Sequence, residues 1–381
     1  MRPVAYGLGL LSVWAACFCA PLIASLDGSL QPLDGDLTRI GGLSERDYGW
    51  NEPQLRFKAL LTPHFRNLDV LVHRGRAYDV LVIGDSFSGA GFGNAHAFGF
   101  QEWMQNALDV SVATIPENEI DYETLACDLR RLTLPPRYLV FETAERYLAP
   151  RLKLLDMIAE GARHCRAGAT TTLRPAAVST SILEPFPRPT TMTFEEMYAT
   201  FVARVAAKVT GVIGIARNSV RTFHLGARDL FSSTRADQLL VVDEDLSPNA
   251  LDPMGARRTV QNAADTLAMA AGVRLVLLVA PNKLSAYRSH VEEATPAAMT
   301  PLLGQAGVPM ASVQDEIARL IGAGFPDVYL PNDTHWGYRG HCAAAFAVGE
   351  YLNMPWRIDR CDAWRGARYA RRQKSGGTSN R

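Results

Sequence analysis

Neither sign of charge dominates this chain: 39 basic and 39 acidic side chains over 381 residues leave a formal net charge of zero. Phosphate binding needs a basic field, so nucleic acid is disfavoured as the main partner. Metal-ligand spacing is missing as well. There is no CxxC or HxxxH string, and neither a metal nor a cofactor is expected. The glycine run Gly89-Ala-Gly-Phe-Gly93 lacks a following Lys-Ser/Thr, which argues against a nucleotide loop. No internal repeat is visible. Charge is absent altogether between Arg2 and Asp27.

That uncharged stretch includes Pro3–Ala24, 22 mostly apolar residues. It is long enough to cross a bilayer, which needs roughly 20. A cleavable signal peptide prefers a shorter apolar core and a small-residue cleavage site. Here Cys19-Ala20 is followed by proline, and Leu22-Ile23-Ala24 places a bulky leucine where a small residue is wanted. Cys17 sits near a lipobox-like position, but Trp14 fits that pattern badly. An uncleaved inner-membrane anchor is the preferred expectation, and a cleaved signal stays open. Either way the body is exported to the periplasm, with Arg2 left in the cytoplasm.

Of six cysteines, Cys17 and Cys19 fall inside the apolar segment, leaving Cys127, Cys165, Cys342 and Cys361 for an oxidising compartment. Cys342 lies in a helical pattern and Cys361 shortly beyond it, which favours a Cys342–Cys361 bridge. Cys127–Cys165 follows by elimination. Buried free thiols are the alternative.

Strand-like runs recur at Val80–Ile83, Val110–Ile115, Tyr138–Phe141, Val273–Ala280 and Val328–Leu330. Helix-like stretches at Ala97–Leu108, Tyr122–Leu132, Tyr147–Cys165, Met254–Ala271 and Tyr338–Leu352 alternate with them. This rhythm predicts an α/β fold with a parallel sheet covered on both faces. Residues 25–70 read as a lead-in, polar and irregular as far as about Leu55, and 71–361 as the catalytic body. About 167–252 break the rhythm and read as an inserted cap, with a capping-box pattern at Thr193-Phe-Glu-Glu196. The acidic run Asp243-Glu-Asp245 near its end reads as a solvated turn. Residues 362–381 form a basic tail, expected to be disordered.

Chemistry concentrates in two strings. Asp79-Val-Leu-Val-Ile83 runs into Gly84-Asp-Ser-Phe-Ser88, a strand ending in a tight turn that lifts a serine hydroxyl clear of the sheet. Asn332-Asp-Thr-His-Trp336 follows Asp327-Val-Tyr-Leu330 and offers a carboxylate two residues from an imidazole. A serine needs a base to take its proton, and the base needs a carboxylate to hold its tautomer. Ser86, His335 and Asp333 supply those three roles. The Ser86 N–H is the natural first oxyanion donor, and Asn118 is the candidate second.

These strings resemble those of the SGNH (GDSL-type) hydrolase superfamily, in which a serine follows the first strand and an Asp–His pair precedes the last helix. The D-x-H-W form at Asp333–Trp336, Pro136-Arg-Tyr-Leu-Val-Phe-Glu-Thr-Ala-Glu-Arg-Tyr147 and Val279-Ala-Pro-Asn-Lys283 before Tyr287 are similar to the alginate O-acetyltransferase branch. The order is permuted, because there the DTHW string comes first. The likeness covers about Val80–Tyr147 and Thr266–Leu352 and not the insertion. It implies a three-layer sandwich and an exported O-acetyltransferase with a polysaccharide acceptor and a membrane-bound O-acyltransferase as acetyl supplier. An acetyl esterase of the same fold and a non-catalytic assembly protein are the alternatives. Arg146 becomes a substrate or oxyanion candidate, unless it is spent on Glu142 or Glu145. Trp336 becomes a wall or sugar platform, unless it simply packs. His341 reads as a helix-face residue and His96 as a cleft candidate.

Overall fold

The computed structural model describes residues 35–58, 62–68, 78–88, 99–164, 181–186, 220–247, 251–358 and Cys361, with Tyr198 and Val202, excepting positions 42, 133, 227, 228 and 294. The anchor at 3–24, the glycine run, His96, Cys165, the capping box, most of the insertion and the basic tail lie outside the described residues.

The segment expected to be irregular contains α1 (Asp36–Gly41), α2 (Glu45–Tyr48) and β1 (Gln54–Lys58). Next come β2 (Val80–Gly84), α3 (Phe100–Leu108), β3 (Val112–Pro116), α4 (Leu125–Arg131), β4 (Tyr138–Ala144) and α5 (Leu148–Arg163). The described part of the insertion gives β5 (Ile182–Phe186), β6 (Val220–His224) and β7 (Gln238–Val242). The chain continues through α6 (Pro253–Ala271), β8 (Arg274–Ala280), α7 (Lys283–Tyr287), α8 (Met299–Gln305), β9 (Met310–Ala311), α9 (Val313–Gly322) and α10 (Tyr338–Tyr351).

The five strands β3-β2-β4-β8-β9 form one all-parallel sheet in that order. Strand β2 is apolar throughout and β8 is so after Arg274, as strands covered on both faces should be, while β4 also buries Glu142 and Thr143. In β2, Val80 and Val82 enter one core while Leu81 and Ile83 enter the other. Helices α3, α7, α9 and α10 cover the first face, and α4, α5, α6 and α8 the second. The result is helix, sheet, helix. Helix α6 shows how sequence fixes such an element. Asp252 caps its first turn by accepting from the Met254 and Gly255 N–H groups, Pro253 opens it, and Gly272 at φ 68° ends it.

One expected strand is not in the sheet. The fifth strand is Met310–Ala311, paired with Leu277 and Leu278, and not Val328–Leu330. Residues 328–330 fold back on their own turn: Leu330 N–H donates to His335 O, Gly337 N–H to Val328 O, and Tyr329 bridges Trp336. Asp327, at φ 56°, starts that reversal. Two small antiparallel ladders flank the sheet, β1 with β5 and β6 with β7. Strand β7 belongs to the interior: Leu239 and Val241 join the first core, while Leu240 and Val242 pack on Leu37 of α1. Cys342 and Cys361 are joined in a disulfide, as expected. Cys127 is disulfide-bonded too, and its partner lies outside the described residues.

Candidate active site

Numbered within the sheet alone, the strand order is second, first, third, fourth, fifth. In such sheets the crevice for ligands opens at the carboxyl ends of the first and third strands, where the winding reverses. Here those are β2 and β4. Ser86 opens the turn directly after β2, and Arg146 lies just past the end of β4.

The serine turn is built from its neighbours. Asp85 Oδ1 accepts from the Phe87 N–H at 3.1 Å, and Ser88 N–H and Oγ both donate to the Asp85 carbonyl. Asp85 Oδ2 accepts from Ala144 N–H at 2.8 Å, tying the turn to β4. Among the described residues, none of the hydrogen bonds that close this turn uses the Ser86 N–H. Gly84 is required by closeness, since a Cβ there would lie 2.5 Å from Glu142 Oε2. Burial, the Asp85 charge and a hydrogen bond with the Asp85 side chain hold the Glu142 carboxyl well above its ordinary range. That shift favours the neutral acid beside Asp85.

The imidazole comes from the loop between α9 and α10. His335 Nε2 is 2.6 Å from Ser86 Oγ, and His335 Nδ1 is 2.5 Å from Asp333 Oδ1. Asp333 Oδ1 also accepts from the His335 N–H, at 2.9 Å. The three residues proposed from sequence are therefore one continuous relay. Phe87 packs its ring 4.9 Å from the imidazole and 4.7 Å from Trp336, and so fixes the tilt of the base. Burial works against a charged His335, but the charge and hydrogen bond of Asp333, with Asp36, outweigh it and hold the imidazole above its ordinary value. Arg146 pulls the other way.

Two features of this half were not legible. Lys283, wholly buried, donates from Nζ to the carbonyls of Leu330, Pro331 and Asp333 at 2.8, 2.9 and 3.0 Å. Burial presses its ammonium down to about 7 against Asp333, Asp36, Asp245 and Asp327. Three carbonyls match the three N–H groups of the charged form. Asp36, from α1, takes hydrogen bonds from Thr334 N–H at 2.8 Å and Thr334 Oγ1 at 2.5 Å. The sequence signal for Lys283 was its place at the end of the Val279–Lys283 string, to which no role was attached.

Other candidates divide. Arg146 is nearly buried, and its partner is Asp245 at 3.3 Å, neither Glu142 nor Glu145. The acidic run read as a solvated turn thus contributes a buried carboxylate, which burial pushes up to about 6 against the pull of Arg146. Glu145 instead accepts from Asn282 N–H at 2.8 Å and Thr300 N–H at 3.2 Å. Trp336 is 1% exposed, boxed by Phe87, Tyr329 and His341. It has no open face for a sugar, so the platform expectation is corrected to packing. His341, on α10, meets the Trp336 ring edge-on at 5.4 Å. Asn118 is exposed on the turn after β3, at the same sheet edge as Ser86, and is not joined to the triad.

Asp36, Asp333 and His335 bring possible ligand atoms within 4.8 Å of one another. Those atoms already answer Thr334, His335 and Ser86. Among the described residues no helix is long and apolar enough to cross a membrane. The chain matches no family model, no curated protein and no solved structure.

Proposed function

We propose that the protein is an exported O-acetyltransferase of SGNH-like architecture that carries acetyl on Ser86 and passes it to a polysaccharide hydroxyl. The observation that carries the acyl-transfer part is the relay Ser86 Oγ–His335 Nε2–Asp333, at 2.6 and 2.5 Å. His335 takes the Ser86 proton as Oγ attacks the acetyl carbonyl, and the Ser86 N–H faces the oxyanion. The tetrahedral adduct collapses as His335 returns that proton to the departing oxygen, leaving acetyl-Ser86. An acceptor hydroxyl then gives its proton to His335 and attacks the same carbonyl, and Ser86 Oγ leaves with the proton back.

The sandwich reading is supported by the 2-1-3-4-5 sheet order with the serine after the first strand. Export is supported by the Cys342–Cys361 disulfide, which persists in oxidising compartments. The sugar acceptor rests on the D-x-H-W and Glu-Arg-Tyr strings, and the inner-membrane anchor at 3–24 would keep the site near a membrane-bound acetyl supplier.

The test is turnover of a chromogenic acetyl ester with and without oligosaccharides. Ser86→Ala is expected to lose about 10⁶-fold in kcat while staying folded. Acetylated oligosaccharide detected by mass supports transfer; free acetate alone, with acetylated polymer stripped efficiently, replaces it with the esterase reading. A Ser86→Ala variant that keeps most turnover overturns both.

A further inference from the structure

We propose that Asp36 is a positioning residue of the active site, sharing with Asp333 the task of holding His335, so that α1 is part of the catalytic apparatus. The inference rests on His335 acting as the base. Its ground is the density of bonds between α1 and the loop 332–335. Asp36 N–H donates to Asp333 Oδ2 at 3.1 Å, fixing the carboxylate oxygen that His335 does not use. The Asp36 carboxylate receives both the N–H and the hydroxyl of Thr334. Leu37 and Thr38 N–H groups donate to the Asn332 carbonyl at 3.1 and 3.3 Å. Buried Glu45, from α2, accepts from Asn332 Nδ2 at 2.8 Å and from Gly35 N–H at 3.3 Å. Residues 332, 333 and 334 are thus each gripped from the same short segment.

A fixed carboxylate fixes the imidazole it orients, and misplacement by about 1 Å costs on the order of 10²-fold in rate. Asp36 also acts through charge. Its Oδ2 lies 3.7 Å from His335 Nδ1, close enough to favour the imidazolium that forms when Ser86 gives up its proton. The charged groups facing His335 are Asp333 and Asp36, which raise it, and Arg146, which lowers it. Lys283 stands behind both carboxylates. Burial and the neighbouring Asp333 lift Asp36 itself, against the pull of His335 and Thr334.

Two variants separate the grip from the charge. Asp36→Ala removes both, and kcat is expected to fall by about 10²-fold with KM nearly unchanged. Asp36→Asn keeps an oxygen for the Thr334 N–H and removes the charge. The base works only when neutral, so activity is lost as pH falls through the raised His335 value. Without the Asp36 charge that value drops, and the acid limb of the kcat/KM profile is expected to move down by about one pH unit. A merely structural Asp36 would not move the limb. An unmoved limb in Asp36→Asn overturns the proposal, even where Asp36→Ala fails to fold. Wild-type kcat in a folded Asp36→Ala does so too. Turnover retained in His335→Gln would instead sink the triad reading, and the two failures are distinct.

Discussion

The serine turn and the histidine loop meet at one hydrogen bond, yet they are held in opposite ways. Ser86 is positioned first by what lies beside it in sequence, since Asp85, Phe87 and Ser88 close the turn, with bonds to Glu142, Ala144 and Gln101 tying that turn to β4 and α3. His335 sits on a loop outside the sheet, and its neighbours are gripped from Asp36, Glu45 and Lys283. Those partners stand 298, 287 and 50 residues away from the atoms they bind. A strand end is stiff by itself because the sheet is. A loop becomes equally stiff only when side chains from elsewhere satisfy its backbone.

The sharpest way to break this comparison is Lys283→Met. Losing the ammonium leaves the Leu330, Pro331 and Asp333 carbonyls without their donor in a buried site. Each buried carbonyl left without a partner costs about 1–3 kcal/mol, and three are left here. We expect a lower melting temperature and a loss of kcat. A variant with wild-type values for both would show that the loop does not depend on distant support.

Asp85→Asn tests the local side with a smaller expected effect. One carboxylate oxygen becomes an N–H₂ that faces either the Phe87 or the Ala144 N–H, leaving a donor unpaired at a cost of about 1–3 kcal/mol. Denaturant unfolding measures it. A neutral result would mean that the strand end alone holds the turn. Smallest of all is chelation. Because the Asp36–Asp333–His335 group is already paired internally, incubation with a chelator is expected to leave ester turnover unchanged. Activity lost to the chelator and regained with a divalent cation would reassign the cluster.

The same contrast decides how far sequence reading reached. The parallel sheet, the serine and the Asp–His pair were legible because each is written in a few consecutive residues: an apolar run, a tight turn, two side chains two positions apart. Lys283, Asp36 and Asp245 were not, because each matters only through residues far away in the chain. Asp36 looked like part of a polar lead-in, since nothing in its own neighbourhood points to Thr334. Val328–Leu330 misled for a related reason. Its apolar alternation suits a strand, but Asp327 at positive φ and the return of Gly337 give it another partner. Trp336 carried a pattern common to sugar platforms and to cores, and only its burial separates the two.

The bond between Asp36 and Asp333, spanning 297 residues, also sets an order of events. Synthesis proceeds at about 5–20 residues per second, so α1 waits about 15–60 s for its partner loop to be made. The ladders that present the serine join strands only 58 residues apart or fewer, such as Val80 with Tyr138, and close early. Contacts of long separation form late because their closure entropy is larger. On the proposed reading, Ser86 can be activated only once the loop that carries His335 has been made and has returned to α1.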